Sequence, residues 1–197
     1  MKGYNFLKNL NLYIGNSILT VSRQLKREAD RFLRRTALLD FLQKQGNVNF
    51  VGSYSYDLMV DGDIDIHVAN SSMNKARSLL ILNALIKANH FRGYVYYDFT
   101  VHRHAGFPRG YYIGLKTRFL GRKWKIDMWL LKKADTRSDQ IGRLVKTNLN
   151  AKNKLAILRL KSLVKAKMLP LTSVDIYRAV FLEKIKSPAD LKKYTKN

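Results

Sequence analysis

Apolar residues in the first quarter of the chain recur at helical spacing. Between residues 16 and 45 they return every three or four positions among arginines and lysines. The recurring residues are Leu25, Ala29, Phe32, Leu33, Leu38, Leu39, Phe41 and Leu42. The spacing predicts an amphipathic helix that stops at Gly46. The short β-branched run at 48–51 then predicts a buried strand, which ends at Gly52 and Ser53.

The segment 63–68 alternates strictly between polar and apolar residues. Asp63, Asp65 and His67 occupy every second position, and isoleucines and a valine lie between and after them. Successive side chains of a strand point to opposite faces, so the pattern predicts a half-buried strand with three polar side chains on one face. Asn70 or Ser71 is then expected to cap an amphipathic helix that reaches residue 89.

Three further strands are predicted in the middle of the chain. Residues 91–104 are aromatic and β-branched, and a loop at 106–110 follows them. The segments 111–119 and 123–131 flank a short turn and predict a β-hairpin. Its second arm carries Asp127.

Beyond residue 139 the periodic segments are all helical. They include a basic helix at 153–168, which ends before Pro170, and another that begins at Thr172 or Ser173. No repeat or low-complexity linker interrupts the chain, so one α/β core with helices at both ends is the simplest α+β arrangement. The predicted regions are an N-terminal helical region at 1–46, a core at 47–138 and a C-terminal helical region at 139–197.

The composition narrows the possible chemistry. With no cysteine among 197 residues, a disulfide framework and thiolate metal sites are excluded, and any metal must be bound by oxygen or imidazole. Polar residues such as Lys8 and Asn9 interrupt the N-terminal apolar run, so a signal peptide is not expected. No apolar stretch is long enough to cross a bilayer, and we therefore expect a soluble, cytoplasmic protein without a membrane partner.

The charge distribution is strongly uneven. The formal net charge is +23, from 37 Lys and Arg against 14 Asp and Glu; residues 1–70 contribute +2 and residues 71–197 contribute +21. Such an excess attracts polyanions. Four of the 14 carboxylates nevertheless crowd into the segment 57–65. Because like charges repel, this crowding favours a bound cation.

Two aspartates one residue apart on a strand present their carboxylates side by side. A third carboxylate from a neighbouring strand, supplied by Asp127, completes an oxygen site for Mg²⁺ or Mn²⁺. In a two-metal site, one ion activates the attacking hydroxyl and the other stabilises the leaving pyrophosphate.

The string VGSYSYDLMVDGDIDIHV, followed by KIDMWL, resembles the pattern of the nucleotidyltransferase superfamily typified by DNA polymerase beta. Gly52-Ser53, the pair Asp63 and Asp65, and then Asp127 match that pattern in order and spacing, over residues 47–131. The resemblance implies a nucleotidyltransferase-type mixed sheet with flanking helices and a C-terminal helical extension. It also implies transfer of a nucleoside monophosphate (NMP) from a nucleoside triphosphate (NTP), for example ATP, to a hydroxyl acceptor.

The same resemblance implies a role for each matching residue. Ser53 and the backbone near Gly52 would contact the NTP phosphates, Asp63 and Asp65 would bridge two Mg²⁺ or Mn²⁺ ions, and Asp127 would bind the ion that activates the acceptor hydroxyl. Many members that modify small molecules carry Arg and Gly soon after the Gly-Ser pair. This chain has Tyr56 and Asp57 there, so the cation that binds the triphosphate is unassigned.

Several residues have two interpretations. His67 shares the face of the aspartates and suits either a substrate contact or a structural role. For His102 and His104 a polar strand face is favoured over metal binding. Most tyrosines in the β-rich segments are expected to pack rather than stack a base. The basic helix suits either a phosphate backbone or solvent, and its six cations are Lys152, Lys154, Arg159, Lys161, Lys165 and Lys167.

Three functions remain open at this point. In the first the protein is an enzyme that acts on nucleic acid, for instance by tailing or capping an RNA end, because the basic surface favours a nucleic-acid partner. In the second the acceptor is a small molecule or a protein, as in antibiotic-modifying and toxin-like relatives. The third is a non-catalytic basic nucleic-acid-binding module. Retention of Asp63, Asp65 and Asp127 argues against the third, since no structural need explains all three together.

Overall fold

The computed structural model describes residues 2–102, 104, 106–187 and 189–191, with side chains from residue 17 onward. This part of the chain forms one five-stranded sheet flanked by helices. The helices are α1 (Lys2–Arg35), α2 (Leu38–Gln43), α3 (Gly52–Ser55), α4 (Lys75–Lys87), α5 (Thr136–Asn148), α6 (Ala151–Ala166) and α7 (Ser173–Phe181). The strands are β1 (Asn47–Val51), β2 (Asp63–Ala69), β3 (Gly93–Asp98), β4 (Tyr111–Phe119) and β5 (Arg122–Leu131).

The sheet is mixed, with strand order β1-β2-β5-β4-β3. Strands β2 and β5 are parallel, whereas every other neighbouring pair is antiparallel. The β2–β5 register places Asp63 opposite Lys125 and Asp65 opposite Asp127. The predicted α+β fold, with a mixed sheet, flanking helices and helices after the sheet, is confirmed.

The two faces of the sheet have opposite characters. One face buries Ile64, Ile66, Ile126 and Met128 against α1, α2 and α4. The opposite face, which we call the polar face, carries the side chains that alternate with these. Its members on the four strands β2, β5, β4 and β3 include Asp63, Asp65, His67, Lys123, Lys125, Asp127, Trp129, Tyr112, Gly114, Lys116, Arg118, Gly93, Val95 and Tyr97.

A second hydrophobic cluster joins the C-terminal helices to the loop after α3. Ile157 and Leu158 of α6 and Tyr177 and Val180 of α7 are buried with Leu58 of that loop. This packing holds α6 and α7 against the start of β2. Within the described residues, no helix has both the length and the apolar character needed to cross a membrane.

The first predicted helix is wrong at both ends. Helix α1 already begins at Lys2, and it ends at Arg35 instead of continuing to residue 45. Ala37 has a left-handed backbone (φ 48°), which cannot continue a helix, and α2 starts anew at Leu38. The break carries neither Gly nor Pro, so local residue preferences do not reveal it.

The predicted cap of α4 is also wrong. Asn74 caps this helix by accepting a hydrogen bond from the backbone N–H of Arg77. The Asn70 side chain instead accepts from the N–H of Ser72 (3.0 Å) and donates to the carbonyl of Gln45 (2.6 Å), which ties the end of β2 to the end of α2. Asn70 therefore stabilises a turn before the helix.

The aromatic segment at 91–104 forms a shorter strand than predicted. Strand β3 ends at Asp98, whose Oδ1 accepts a hydrogen bond from the N–H of Thr100 (3.0 Å) and so starts a turn. His102 and His104 consequently lie beyond the strand, and the polar strand face expected for them is wrong. The predicted hairpin is confirmed by the pairing of β4 with β5.

Candidate active site

Three carboxylates meet at the centre of the polar face. Each of Asp63, Asp65 and Asp127 offers an oxygen, and the three oxygens lie within 4.8 Å of one another. The parallel β2–β5 pairing causes this approach, because it puts Asp65 directly opposite Asp127. The buried Oδ1 of Asp63 has no hydrogen-bond partner among the described residues.

The surroundings of this cluster oppose its negative charge. Burial, reinforced by the charge of Asp127, raises the pKa of Asp63 to about 6. Burial and the charges of Asp63 and Asp127 raise the pKa of Asp65 to about 7. A carboxylate that gains a cation partner is instead favoured in its charged form. The all-oxygen donors and the unpaired Asp63 oxygen thus fit a hard cation such as Mg²⁺.

Asp127 is oriented by two side chains of the polar face. The hydroxyl of Tyr112 donates to its Oδ1 (2.5 Å), and Lys125 forms an ion pair with its Oδ2. Gly114 makes room for the tyrosine, because a Cβ at that position would lie 2.7 Å from the Tyr112 hydroxyl. Burial, together with the hydrogen bond to Asp127, raises the pKa of Tyr112, so the hydroxyl stays protonated and remains a donor.

Gly52 brings the chain close to the carboxylates. It links β1 to α3 with a positive φ of 65°, and a Cβ there would lie 2.2 Å from Oδ2 of Asp65. Only glycine adopts this conformation without strain and also leaves room for the carboxylate. The Gly-Ser pair begins the short helix α3, and Ser53 lies in its first turn.

Lys161 is a site residue that the sequence patterns did not identify. Its ammonium donates to Oγ of Ser53 and to the carbonyl of Leu58 (2.8 Å), and its side chain is only 7% exposed. Burial lowers the pKa of Lys161 to about 8, although the charges of Asp63 and Asp65 act in the opposite direction. The lysine therefore supplies a positive charge next to Ser53 at neutral pH.

The cations of the basic helix were expected either to face solvent or to bind a phosphate backbone, and this expectation is wrong for Lys161. Within α6 it is spaced three and four residues from the buried positions 157, 158 and 164, so it belongs to the buried side of the helix. Lys154 and Lys165 form ion pairs with Asp57 and Asp61. Three lysines of one helix thus contact the segment that joins α3 to β2.

A cleft opens between that segment and the helices α6 and α7. Its volume is about 290 Å³, and its polar lining includes Asp63, Ser53, Lys161 and Lys165. The hydroxyl of Tyr177 lies 3.4 Å from Oγ of Ser53, at the boundary with the second hydrophobic cluster. The cleft therefore brings carboxylate, ammonium and hydroxyl groups together.

The remaining predicted candidates lie at the edge of this centre or away from it. His67 is only 6% exposed, and burial lowers its pKa, so it is neutral near pH 7. The ring of His104 stacks on Phe107 with 4.6 Å between centroids. Tyr112 and Tyr97 belong to the polar face, whereas Tyr111 is buried on the opposite one.

Comparison with known proteins identifies the class of fold. The sequence matches no protein-family profile and no curated protein sequence. Among solved structures, it is similar to a chain of the poly(A) polymerase complex GLD-2–GLD-3, with a TM-score of 0.55 and 11% identity over 92% of this chain and 63% of that one. A chain of the GLD-2/RNP-8 complex gives a TM-score of 0.52 and 12% identity, over 90% and 67%.

These similarities show that the chain shares its fold with the matched chains of these two complexes. The chain spans less than two thirds of the chain in the GLD-2–GLD-3 complex.

Proposed function

We propose that this protein is a metal-dependent nucleotidyltransferase that transfers an NMP from an NTP to a hydroxyl of RNA. The observation that supports this most is the approach of Asp63, Asp65 and Asp127 to within 4.8 Å, beside a cleft that contains Ser53 and Lys161. Nothing in the packing of the sheet requires three aspartates to face one another. Their repulsion lowers stability unless a cation binds.

Asp63, Asp65 and Asp127 are the residues that would hold the metal, as two Mg²⁺ or Mn²⁺ ions. When bound, the ions lower the pKa of the acceptor hydroxyl and neutralise the leaving pyrophosphate. Tyr112 and Lys125 keep the Asp127 carboxylate directed at this centre through its two oxygens.

Ser53 and Lys161 would bind the triphosphate in the cleft. The Lys161 ammonium is already desolvated and next to a hydroxyl, so a phosphate oxygen that enters the cleft meets two donors held in position. In the reaction the acceptor oxygen bonds to the α-phosphorus while the bond between the α- and β-phosphates breaks. Pyrophosphate leaves, and the hydroxyl proton passes to the Asp127 carboxylate or to water.

RNA is the acceptor that charge and fold favour together. A net charge of +23 suits a polyanion, and the GLD-2–GLD-3 structure, which has this fold, is named as a poly(A) polymerase complex. A cytoplasmic location, with its RNA and NTP pools, is part of the proposal.

The test is transfer of labelled NMP. The protein is incubated with each α-labelled NTP in turn, together with Mg²⁺ and total cellular RNA and lysate. We expect label on RNA with at least one NTP, lost on chelation and in Asp65→Asn but retained in the control Asp40→Asn, which removes an exposed carboxylate of α2. Equal labelling by Asp65→Asn would contradict the metal role. If label appears only on a small molecule or a protein, the transfer reaction is supported and RNA is not the acceptor.

A further inference from the structure

One end of the polar face is a basic groove. Arg92, Lys116, Arg118, Lys123 and Lys125 line an open groove of about 710 Å³ that reaches Asp63. All five side chains are exposed. Apart from Lys125, which pairs with Asp127, none of them forms an ion pair with another described residue. Like charges gathered without partners beside a carboxylate centre point to an anionic ligand.

The other end of the polar face is aromatic. Tyr97 stacks on Tyr112 with 6.1 Å between ring centroids, and Tyr112 packs on Trp129 at 5.2 Å. Phe99 and Phe107 extend the group around Trp129. Tyr97 is 55% exposed and Phe107 is 49% exposed, so this group offers ring surface to a ligand.

The carboxylates lie between the two ends. Residues of β5 run in order from Lys123 and Lys125 through Asp127 to Trp129, all on the same face. Gly93 of β3 lies beside Lys116 of the basic groove, and the Tyr112 side chain lies over Gly114 of β4, next to Asp127. A flexible polyanion that also carries planar bases is complementary to this face, which has cations at one end and aromatic rings at the other.

We infer that the polar face binds the 3′ end of a single-stranded RNA acceptor, with phosphates in the basic groove and a terminal base against Tyr97. The inference rests on the proposed transfer reaction, for which it supplies the acceptor surface. The 3′ hydroxyl then lies at Asp127, between the two contacts. Single-stranded RNA is the occupant, because a base paired in a duplex cannot turn its face to a tyrosine ring. The cations of α6 are not needed, since Lys154 and Lys165 are paired within the protein.

The groove is tested by the salt dependence of binding. A fluorescent oligouridine is titrated with the protein at several salt concentrations without NTP, and the wild type is compared with the triple variant Lys116→Gln, Arg118→Gln, Lys123→Gln. Each phosphate contact on a single strand contributes about 0.7 to the log–log slope, so the slope should fall by about 2 in the variant. The matched control is Lys44→Gln, Arg143→Gln, Lys146→Gln, which removes the same charge from exposed positions outside the groove. Its slope should remain close to that of the wild type.

The aromatic end is tested by a pair of variants at Tyr97. Loss of one base stack weakens binding about 5-fold or more, so Tyr97→Ala should raise Kd by at least that factor without changing the salt slope. Tyr97→Phe keeps the ring and should bind as the wild type does. For a duplex of the same length, the wild type and Tyr97→Ala should have the same Kd.

The outcomes separate this surface from the proposed reaction. If the triple variant in the groove and its control have equal salt slopes, the proposed RNA surface is contradicted, even if the wild type labels RNA. Tighter binding of the matched single-stranded DNA, or no difference between Tyr97→Ala and Tyr97→Phe, would also overturn it. If both sets behave as expected while no NTP labels RNA, the surface is supported and the proposed reaction fails.

Discussion

At the scale of single residues, Asp65 is in surroundings that disfavour its charge. Its pKa of about 7 means that the folded protein retains a proton that the unfolded chain has already released. Between the ordinary pKa of an aspartate and about 7, the stability of the metal-free protein must therefore fall as the pH rises. This loss of stability is complete above the pKa of Asp65 in the folded protein and is absent below its pKa in the unfolded chain.

The first prediction follows from this sign. Asp65→Asn removes the charge, so without metal the free energy of unfolding should rise by about 1 to 3 kcal/mol at about pH 8, and by less at about pH 5. Urea unfolding of both proteins in a chelator measures the two differences. Asp40→Asn serves as the control because its carboxylate is exposed. A gain that is the same at both pH values would show that the carboxylate cluster is not its source.

Lys161 leads to the second prediction. Lys161→Gln should raise the KM for NTP about 10-fold or more, since a hydrogen bond to a charged group contributes about 1.5 to 3 kcal/mol. With a pKa of about 8, the wild-type lysine is charged below that pH and loses its charge above it. The wild-type KM should therefore rise above about pH 8, whereas the KM of the variant should not. Steady-state kinetics across this range provide the measurement.

The exposed Lys167, at the end of the same helix, is the matched control. Lys167→Gln should leave the KM for NTP and its pH dependence unchanged. The KM for the RNA acceptor should be similar in all three proteins. A normal NTP KM in Lys161→Gln would remove the lysine from the triphosphate site and leave the carboxylate assignment intact.

At the scale of elements, the turn from β1 into α3 determines how closely the backbone approaches the carboxylates. Gly52 combines a positive φ with contact to Asp65, whereas Gly121, in the β4–β5 turn, has a φ of 75° with no atom within 4 Å of an added Cβ. Both positions require a positive φ, but only at Gly52 would an added Cβ contact another side chain. Comparing them separates backbone strain from displacement of the carboxylate.

The third prediction uses this pair. Gly121→Ala should cost about 1 to 3 kcal/mol in unfolding free energy and leave NMP transfer nearly unchanged. Gly52→Ala should cost more and also abolish most of the transfer, because the added methyl group pushes Asp65 away from its partners. Thermal unfolding and the labelling assay together test it. Full activity in Gly52→Ala would mean that the position of Asp65 tolerates this displacement.

Strands with a strict pattern were predictable from the sequence, and contacts between distant residues were not. The alternation around Asp63 and Asp65 reveals which face they share, since side-chain direction is a local property of a strand. Lys161 looked like one more cation in a basic helix, because its burial depends on packing against residues about 100 positions earlier. The partnership of Tyr112 with Asp127 depends likewise on strand pairing. The break between α1 and α2 at Ala37 carries neither Gly nor Pro, so no local sequence signal predicts it.

At the scale of the whole molecule, a large positive charge surrounds a small acidic centre. The net charge is +23, yet Asp63, Asp65 and Asp127 face one another at the middle of the sheet. General screening by salt and specific binding of a divalent cation should therefore both stabilise the protein, through different residues. We expect the contribution of the divalent cation to depend on Asp63, Asp65 and Asp127.

The fourth prediction separates these two effects. At ten times its Kd, Mg²⁺ should add about 1.4 kcal/mol to the stability, which corresponds to an increase of about 3 to 6 °C in Tm. NaCl at equal ionic strength is the reference condition for each protein. Asp65→Asn should lose most of the increase specific to Mg²⁺ while keeping the response to NaCl. An identical Mg²⁺ response in both proteins would place the ion elsewhere.

The parallel pairing of β2 with β5 also has a consequence for folding. Strands β3, β4 and β5 pair with their sequence neighbours, as do β1 and β2, so each group forms from local contacts. The β2–β5 contact must close a loop of about 60 residues, which is entropically slow, and the carboxylate repulsion opposes this same step. Until β5 joins β2, Asp127 is far from Asp65, and the centre cannot capture a divalent ion. We therefore expect divalent cations to stabilise only those states of the chain in which β5 is already paired with β2.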